Sequence, residues 1–485
     1  MGAREALALL PLIVLGGTVL AGLIAIALYR RHELVFGITL FGFAAAIVAI
    51  APALAVVPRP VGILLRVDNY ALFFTGLLAG AGVIITLLSY DYWERRGEVR
   101  EEYYLLLLLG TLGGAVLAAS THFAALFLGL EIMGVSIYAL AAYERASRQG
   151  LEAGIKYLIL AAVSSAFILF GIALIYTDLG TMQVAPIIVA VVGKALRPVF
   201  LTGAALVLVG FGFKLALFPF YLWAPDVFQG SPAPVTAFLA TISKGAIFAA
   251  LVRFFFLLQA VAQPAARPGE SAPFMMALTV IAIATMFAGN LLALRQLRLK
   301  RLLAYSSIAH MGYLLVPFIA RSELAIQVIA FYLATYFVTT LGAFAVIVLL
   351  SDEKRDLDRS EDYRGMARRR PWLAGVLTAC LLSLAGLPVT AGFMGKFFLV
   401  LAGVGAGLWT LVIVLVINSG ISVYYYLRVV RELYRRPDAS PVPAPAPSLM
   451  GNLALAILAV FFFWLALFPT PALEAISEVL DVIRP

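Results

Sequence analysis

Cysteine is almost missing from this chain: Cys380 stands alone among 485 residues, beside three histidines. That excludes an internal disulfide and leaves too few ligands for an iron–sulfur cluster or a Cys/His zinc site. Charge is scarce as well, at 13% of residues against 63% hydrophobic, with a mean hydropathy of +1.02. A water-soluble domain carries about twice that charge. The cluster Gly403, Gly405 and Gly407 echoes a dinucleotide loop, but no strand precedes it and apolar helical runs flank it, so it is not read as a cofactor site.

What the chain has in abundance is long apolar runs. About 20 helical residues span a hydrocarbon core, and runs of that length recur near 5–29, 34–57, 70–90, 103–120, 122–143, 153–176, 199–223, 232–259, 273–294, 302–320, 324–350, 371–399, 406–432 and 448–470. The expected fold is therefore an all-α polytopic membrane protein of about fourteen transmembrane helices. The runs do not alternate in polarity, which excludes a barrel. The first run is too long for a signal peptide, lacks a small-residue cleavage site, and is followed by Arg30, Arg31 and His32. The formal charge of +9 is a topology signal rather than a nucleic-acid footprint, because most basic residues fall in loops after odd-numbered spans. By the positive-inside rule those loops are cytoplasmic and both termini face the periplasmic side of a bacterial inner membrane.

Two polar stretches interrupt the runs: a charged loop, Ser351 to Arg370, and a Pro-rich connector, Pro437 to Ser448. Only about fifteen residues follow the last span, so no long C-terminal arm is expected. A weak internal repeat runs at a displacement of about 175 residues. It sets Glu131-Ile132-Met133-Gly134 against His310-Met311-Gly312, Tyr157 with Ser164 and Ser165 against Tyr332 with Thr339 and Thr340, and Ser243-Lys244-Gly245 against Asn418-Ser419-Gly420. Five spans per unit is an odd number, so the second copy is inverted, as in secondary transporters. The implied organisation is an N-terminal three-helix segment (1–100), a first five-helix repeat (101–260), a second (270–435), and the connector with the last helix (436–485). Pro219 and Pro225 in the seventh span, and Gly386, Pro388, Gly392 and Gly395 in the twelfth, predict discontinuous helices at membrane depth.

Four ionisable residues lie well inside spans: Glu131, Lys214, Lys244 and Lys396. A charge at the bilayer centre costs about 3 kcal/mol even on lenient scales, so each needs a partner and a reason to be there. Lysine suits proton transfer because desolvation and neighbouring charge can make it release its proton, whereas arginine stays charged. The competing reading is static ion pairs or snorkelling side chains. His310 is either a histidine satisfied by Ser306 or Ser307 or a relay matched to Glu131 across the repeat. Lys156, one turn into the sixth span, is either a snorkelling side chain or a relay. Asp68, Asp178 and His122 read as interfacial, and Arg253 and Arg428 as anchors.

The stretch from Lys214 to Lys244, with Ala224-Pro225-Asp226-Val227-Phe228-Gln229-Gly230-Ser231-Pro232, together with Lys300-Arg301-Leu302-Leu303-Ala304-Tyr305-Ser306-Ser307-Ile308-Ala309-His310-Met311-Gly312-Tyr313 and Gly386 to Lys396, resembles the antiporter-like membrane subunits of proton-pumping NADH:quinone oxidoreductase, respiratory complex I. The likeness runs from about residue 60 to 435. Within the family the wording from Asp226 to Pro234 is most similar to the N type. The L type carries a long lateral helix, and the M type typically has glutamate where Lys396 stands. The resemblance implies a translocase subunit without redox chemistry of its own, with NADH, FMN, iron–sulfur clusters and quinone on partner subunits and no cofactor or metal here. It implies Glu131 and Lys214 as a coupled pair, Lys244 as the central connection, Lys396 in the second half-channel and His310 as a link between them. Expected partners are adjacent antiporter-like and small membrane subunits, a neighbour's lateral helix and lipid, with no nucleic acid. The alternative is a subunit of a cation/proton antiporter or a membrane-bound hydrogenase on the same fold; a further one is a membrane scaffold.

Overall fold

A computed structural model describes residues 2–97, 100–191, 197–262, 272–320, 324–353, 355–436 and 448–480. Most of the Pro-rich connector lies outside the described residues. Thirteen helices are long and apolar enough to cross a membrane, from Leu10–Tyr29 to Leu449–Leu467. The remaining span is two shorter apolar helices in tandem, Pro371–Ala385 and Ala391–Gly405. Each of the fourteen expected runs thus becomes a span. Continuous apolar sequence has no other way to satisfy its backbone in lipid.

Helix Pro198–Leu215 stops at Ala216, whose φ of 58° is left-handed, and resumes as Trp223–Gly230. Helix Pro371–Ala385 stops at Gly386, with φ of 81°. Both halts come where proline follows within three residues and denies the next turn its donors. A third interruption was not expected: five residues of π-helix, Leu239–Ser243, directly precede Lys244 in the eighth span. Single π turns inside α-helices commonly mark functional positions.

The two five-helix units share one packing scheme. In the first, Glu101–Ala119 packs on Phe123–Ala141, and Arg148–Leu179 packs on both halves of the broken seventh span. In the second, Ala272–Ala293 packs on Leu299–Ala320, and Ala325–Leu350 on both halves of the broken twelfth. Glycine fixes the register. A Cβ on Gly113 would lie 2.9 Å from Gly129 O and 2.8 Å from Met133 N; one on Gly289 would lie 2.8 Å from Tyr305 O and 2.5 Å from Ala309 N. The paired positions, 129 with 305 and 133 with 309, are 176 residues apart. Ser307, three residues before His310, is therefore the counterpart of Glu131. The short Met-Gly identity misaligns the copies because two residues of likeness weigh less than a backbone contact.

Elements absent from the sequence reading close the ends of the bundle. An antiparallel hairpin, Arg59–Val61 with Leu65–Val67, lies before the third span. A short helix, Val184–Val191, follows the sixth, and Pro469–Leu480 follows the last. Asp68 and Arg253 form a buried two-pronged ion pair at 2.6 and 3.0 Å, so Asp68 is an internal anchor rather than an interfacial group.

On the face bearing the basic loops, Asp356 of the Ser351 to Arg370 loop is nearly enclosed. It accepts from Tyr92 Oη at 2.9 Å, Arg96 Nη2 at 3.0 Å and Lys300 Nζ at 2.7 Å. Arg96 also reaches Glu144 at 2.9 Å, and Lys300 reaches Ser231 O at 2.5 Å. One carboxylate thereby ties the ends of the third, fifth, seventh and tenth spans. Burial pushes the Asp356 carboxyl up, but Lys300 and Arg96 outweigh it and hold the group below the ordinary carboxylate range. A depressed carboxylate stabilises above its unfolded pKa, about 3.9, and that contribution fades as pH falls through the folded value. Asp356→Asn should cost about 3–5 kcal/mol, as when one partner of a buried pair is removed. Thermal unfolding of the purified protein at pH 7 and below pH 4 checks this: the variant should melt earlier at pH 7, and the difference should shrink in acid.

Candidate functional site

Glu131 lies on Phe123–Ala141 and Lys214 one residue before the end of Pro198–Leu215, next to the helix break. They are not in contact. Glu131 Oε1 accepts from Ser165 Oγ at 2.5 Å. Lys214, 3% exposed, has no hydrogen-bond partner for Nζ among the described residues. Nζ lies 3.7 Å from where a Cβ on Gly134 would stand, so the absence of a side chain there makes room for the ammonium. A cavity of about 10 Å³, room for about one water, adjoins Lys214 and is lined by Tyr157, Ser164 and Trp223 among others. A buried ammonium without a fixed partner is unusual, because burying a charge costs free energy unless it is paired or hydrogen-bonded.

Lys244 is 1% exposed and donates to Ser307 Oγ at 2.6 Å. Its hydroxyl partner is thus the repeat counterpart of Glu131. Lys396 donates to Ala385 O at 2.8 Å and to Ser419 Oγ at 2.9 Å, with its ammonium 5.2 Å from the centre of the Tyr313 ring. Ala385 is the last residue before the break, so Lys396 satisfies a freed carbonyl, which gives it a structural duty as well. In the first break Trp223 Nε1 donates to Phe213 O at 2.8 Å, alongside Ala216 N at 3.1 Å.

His310, fully inside the bundle, pairs through Nδ1 with Tyr332 Oη at 2.7 Å and is ringed by Tyr313 and Tyr336. Neither serine proposed as its partner serves it: Ser306 bonds Tyr426 Oη and Ser307 bonds Lys244. Around it lies a network that sequence reasoning missed. Asn290 Nδ2 donates to Tyr313 Oη at 2.9 Å and to Asn418 Oδ1 at 3.1 Å, and Tyr425 Oη donates to Asn290 Oδ1 at 3.0 Å. The signal available was three polar residues, Asn290, Asn418 and Ser419, in otherwise apolar spans. Together these groups place hydroxyls and amides between Lys244 and Lys396.

Lys156 belongs to the rim. Its Nζ pairs with Glu152 at 2.6 Å and with Asp226 at 3.0 Å, and Asp226 also receives Arg301 at 2.6 Å. These residues line a polar pocket of about 190 Å³ with Gln149 and Gln229. Arg428 donates to Leu294 O at 2.7 Å and also to Gln296 O, as an anchor.

The family described as NADH:quinone oxidoreductase/Mrp antiporter, transmembrane, matches residues 120–422. A Methylococcus capsulatus protein called NADH-quinone oxidoreductase subunit N is 46% identical over 476 residues, 97% of this chain and 94% of that protein. Its namesake from Ectopseudomonas mendocina is 44% identical, covering 98% and 97%. Among solved structures, a chain of respiratory complex I from Thermus thermophilus with bound Aureothin superposes with a TM-score of 0.81 at 34% identity, covering 96% of this chain and 99% of that one. A chain of the Mrp complex from Dietzia sp. DQ12-45-1b superposes at 0.83 with 20% identity, covering 100% and 98%, a likeness of fold alone.

Proposed function

This chain belongs to the NADH:quinone oxidoreductase and Mrp antiporter transmembrane family, and from that premise we propose that it is a proton-translocating membrane subunit of a NADH:quinone oxidoreductase. The observation that carries the reading is three lysines, Lys214, Lys244 and Lys396, each nearly inaccessible to solvent, inside apolar spans beside or within helix interruptions. None of the three is neutralised by a carboxylate within ion-pair distance among the described residues.

Protons enter from the face of the basic loops, read as cytoplasmic. The polar pocket at Lys156 and Asp226 is the mouth. Tyr157, next to Lys156, and Trp223, one turn before Asp226, line the cavity that reaches Lys214. From Lys244 the path continues through Ser307, His310 and the tyrosine and asparagine network to Lys396. Glu131 sets the charge state of Lys214 across the intervening gap rather than by direct pairing. NADH oxidation and quinone reduction occur on partner subunits, which carry the flavin and iron–sulfur clusters. The energy arrives as a conformational or electrostatic change from a neighbouring membrane subunit. Both termini lie on the periplasmic side of a bacterial inner membrane.

The test is to tag the chain in its native membrane, purify it in mild detergent and identify its companions. Flavin and iron–sulfur subunits with NADH:quinone reductase activity are the expected result. Membrane partners alone, with cation-dependent proton exchange, would transfer the chain to the antiporter branch.

A further inference from the structure

A groove opens between helix Pro371–Ala385, the eleventh span Ala325–Leu350 and the fourteenth span Leu449–Leu467. It holds a cavity of about 100 Å³ that is almost wholly apolar. Gly342, Gly375, Ala379 and Ala459 form its floor, while Trp372 and Phe463 stand at its edges, more than half exposed. Nothing lies within 4 Å of where a Cβ on Gly375 would be, so the hollow there is open. Trp372 to Ala379 covers about 10 Å along the helix at 1.5 Å per residue, a descent from the membrane surface toward its middle.

An apolar cavity of this order takes an apolar guest rather than water, and within a bilayer the nearest guest is an acyl chain. The turn leading into the groove identifies which lipid. Arg368 and Arg369, exposed and outward of Trp372, precede the helix by a few residues. Arg369 donates to Arg364 O at 2.8 Å, which fixes one side of its guanidinium and leaves its charge uncompensated by that bond. Glu432, the acid held by Arg364 on this face, is already shared with Arg431 and Arg435. Interfacial tryptophan and flanking arginines recognise a headgroup, and basic sites at the ends of membrane helices select anionic ones.

We propose that this groove binds an anionic phospholipid, one acyl chain lying along Trp372, Gly375 and Ala379 and the phosphate held by Arg368 and Arg369. No residue lining the groove bonds a buried lysine, and the proposal does not depend on how the lysines act.

The intact complex is reconstituted with phosphatidylglycerol carrying a photoactivatable acyl chain, or with the same chain on phosphatidylcholine, and crosslinked peptides are mapped. The expected result is labelling of residues 372–379 and 459–463, stronger for phosphatidylglycerol. Replacing Arg368 and Arg369 by glutamine should reduce that labelling by about fivefold per arginine and reduce the phosphatidylcholine signal by a smaller factor, because choline already offsets its phosphate. Gly375→Trp should abolish both signals; should that variant fail to assemble, the arginine variants decide. Equal labelling by the two lipids would overturn the proposal, leaving only solvating lipid. Absence of lipid labelling, with the groove covered by a neighbouring subunit, would overturn it as well.

Discussion

Lys214→Met should lower NADH-driven proton translocation by about tenfold in an assembled complex, and Lys214→Arg should not restore it. A positioned acid or base contributes about 10²–10⁴ to a proton-transfer step. Methionine matches the length of the buried stem without the ammonium, so packing around Tyr157 and Trp223 is kept. Arginine retains the positive charge, but effectively never releases a proton. A purely structural role would be rescued by arginine; a relay role would not. The readout is acidification inside inverted membrane vesicles, with complex content measured on the same preparation. Wild-type flux in Lys214→Arg would assign Lys214 to bracing the helix break.

The second large effect is at Lys244. Its one polar contact among those described is Ser307, 2.6 Å away, and its ammonium lies 5.7 Å from the Phe228 ring centre. Replacing a buried charge by an apolar side chain of similar volume is often neutral for folding, so Lys244→Met should assemble normally. It should nevertheless remove a titratable group between Lys214 and His310 on the proposed path, with a loss of coupled flux again about tenfold. Ser307→Ala separates the two contributions: it removes the acceptor and keeps the lysine, and should reduce flux by a smaller factor without loss of assembly. Quinone reductase turnover and vesicle acidification, measured together, check both variants. Lys396 is less clean, because its substitution also removes one of the two donors to the Ala385 carbonyl.

The fourteen spans were legible because twenty apolar residues in lipid have one economical structure, and the two broken helices because Pro219, Pro388 and Gly386 sit where a continuous helix fails. The buried lysines and Glu131 were legible for the same reason: charge inside an apolar run is conspicuous. What could not be read was partnership. Ser165, Ser307 and Ser419 are small hydroxyls of a kind found in many membrane helices, and only packing shows which of them meets a lysine or a carboxylate. The repeat register slipped because Met133-Gly134 and Met311-Gly312 are a short likeness of a common dipeptide, while the contacts of Gly113 and Gly289 that fix it are visible only in three dimensions. The π turn before Lys244 leaves no trace in composition, and the hairpin at Arg59–Val61 lies in a short, Pro-flanked connector that carries no alternating pattern.

The most direct measurement is the number of protons moved per electron in proteoliposomes containing the whole complex, comparing wild type with the Lys214→Met, Lys244→Met double variant. If this chain conducts protons through its buried lysines, the double variant moves fewer protons per electron, or its electron transfer slows in step because the two processes are coupled. Wild-type electron transfer at the wild-type proton ratio would contradict it and would reduce these lysines to structural parts of the bundle.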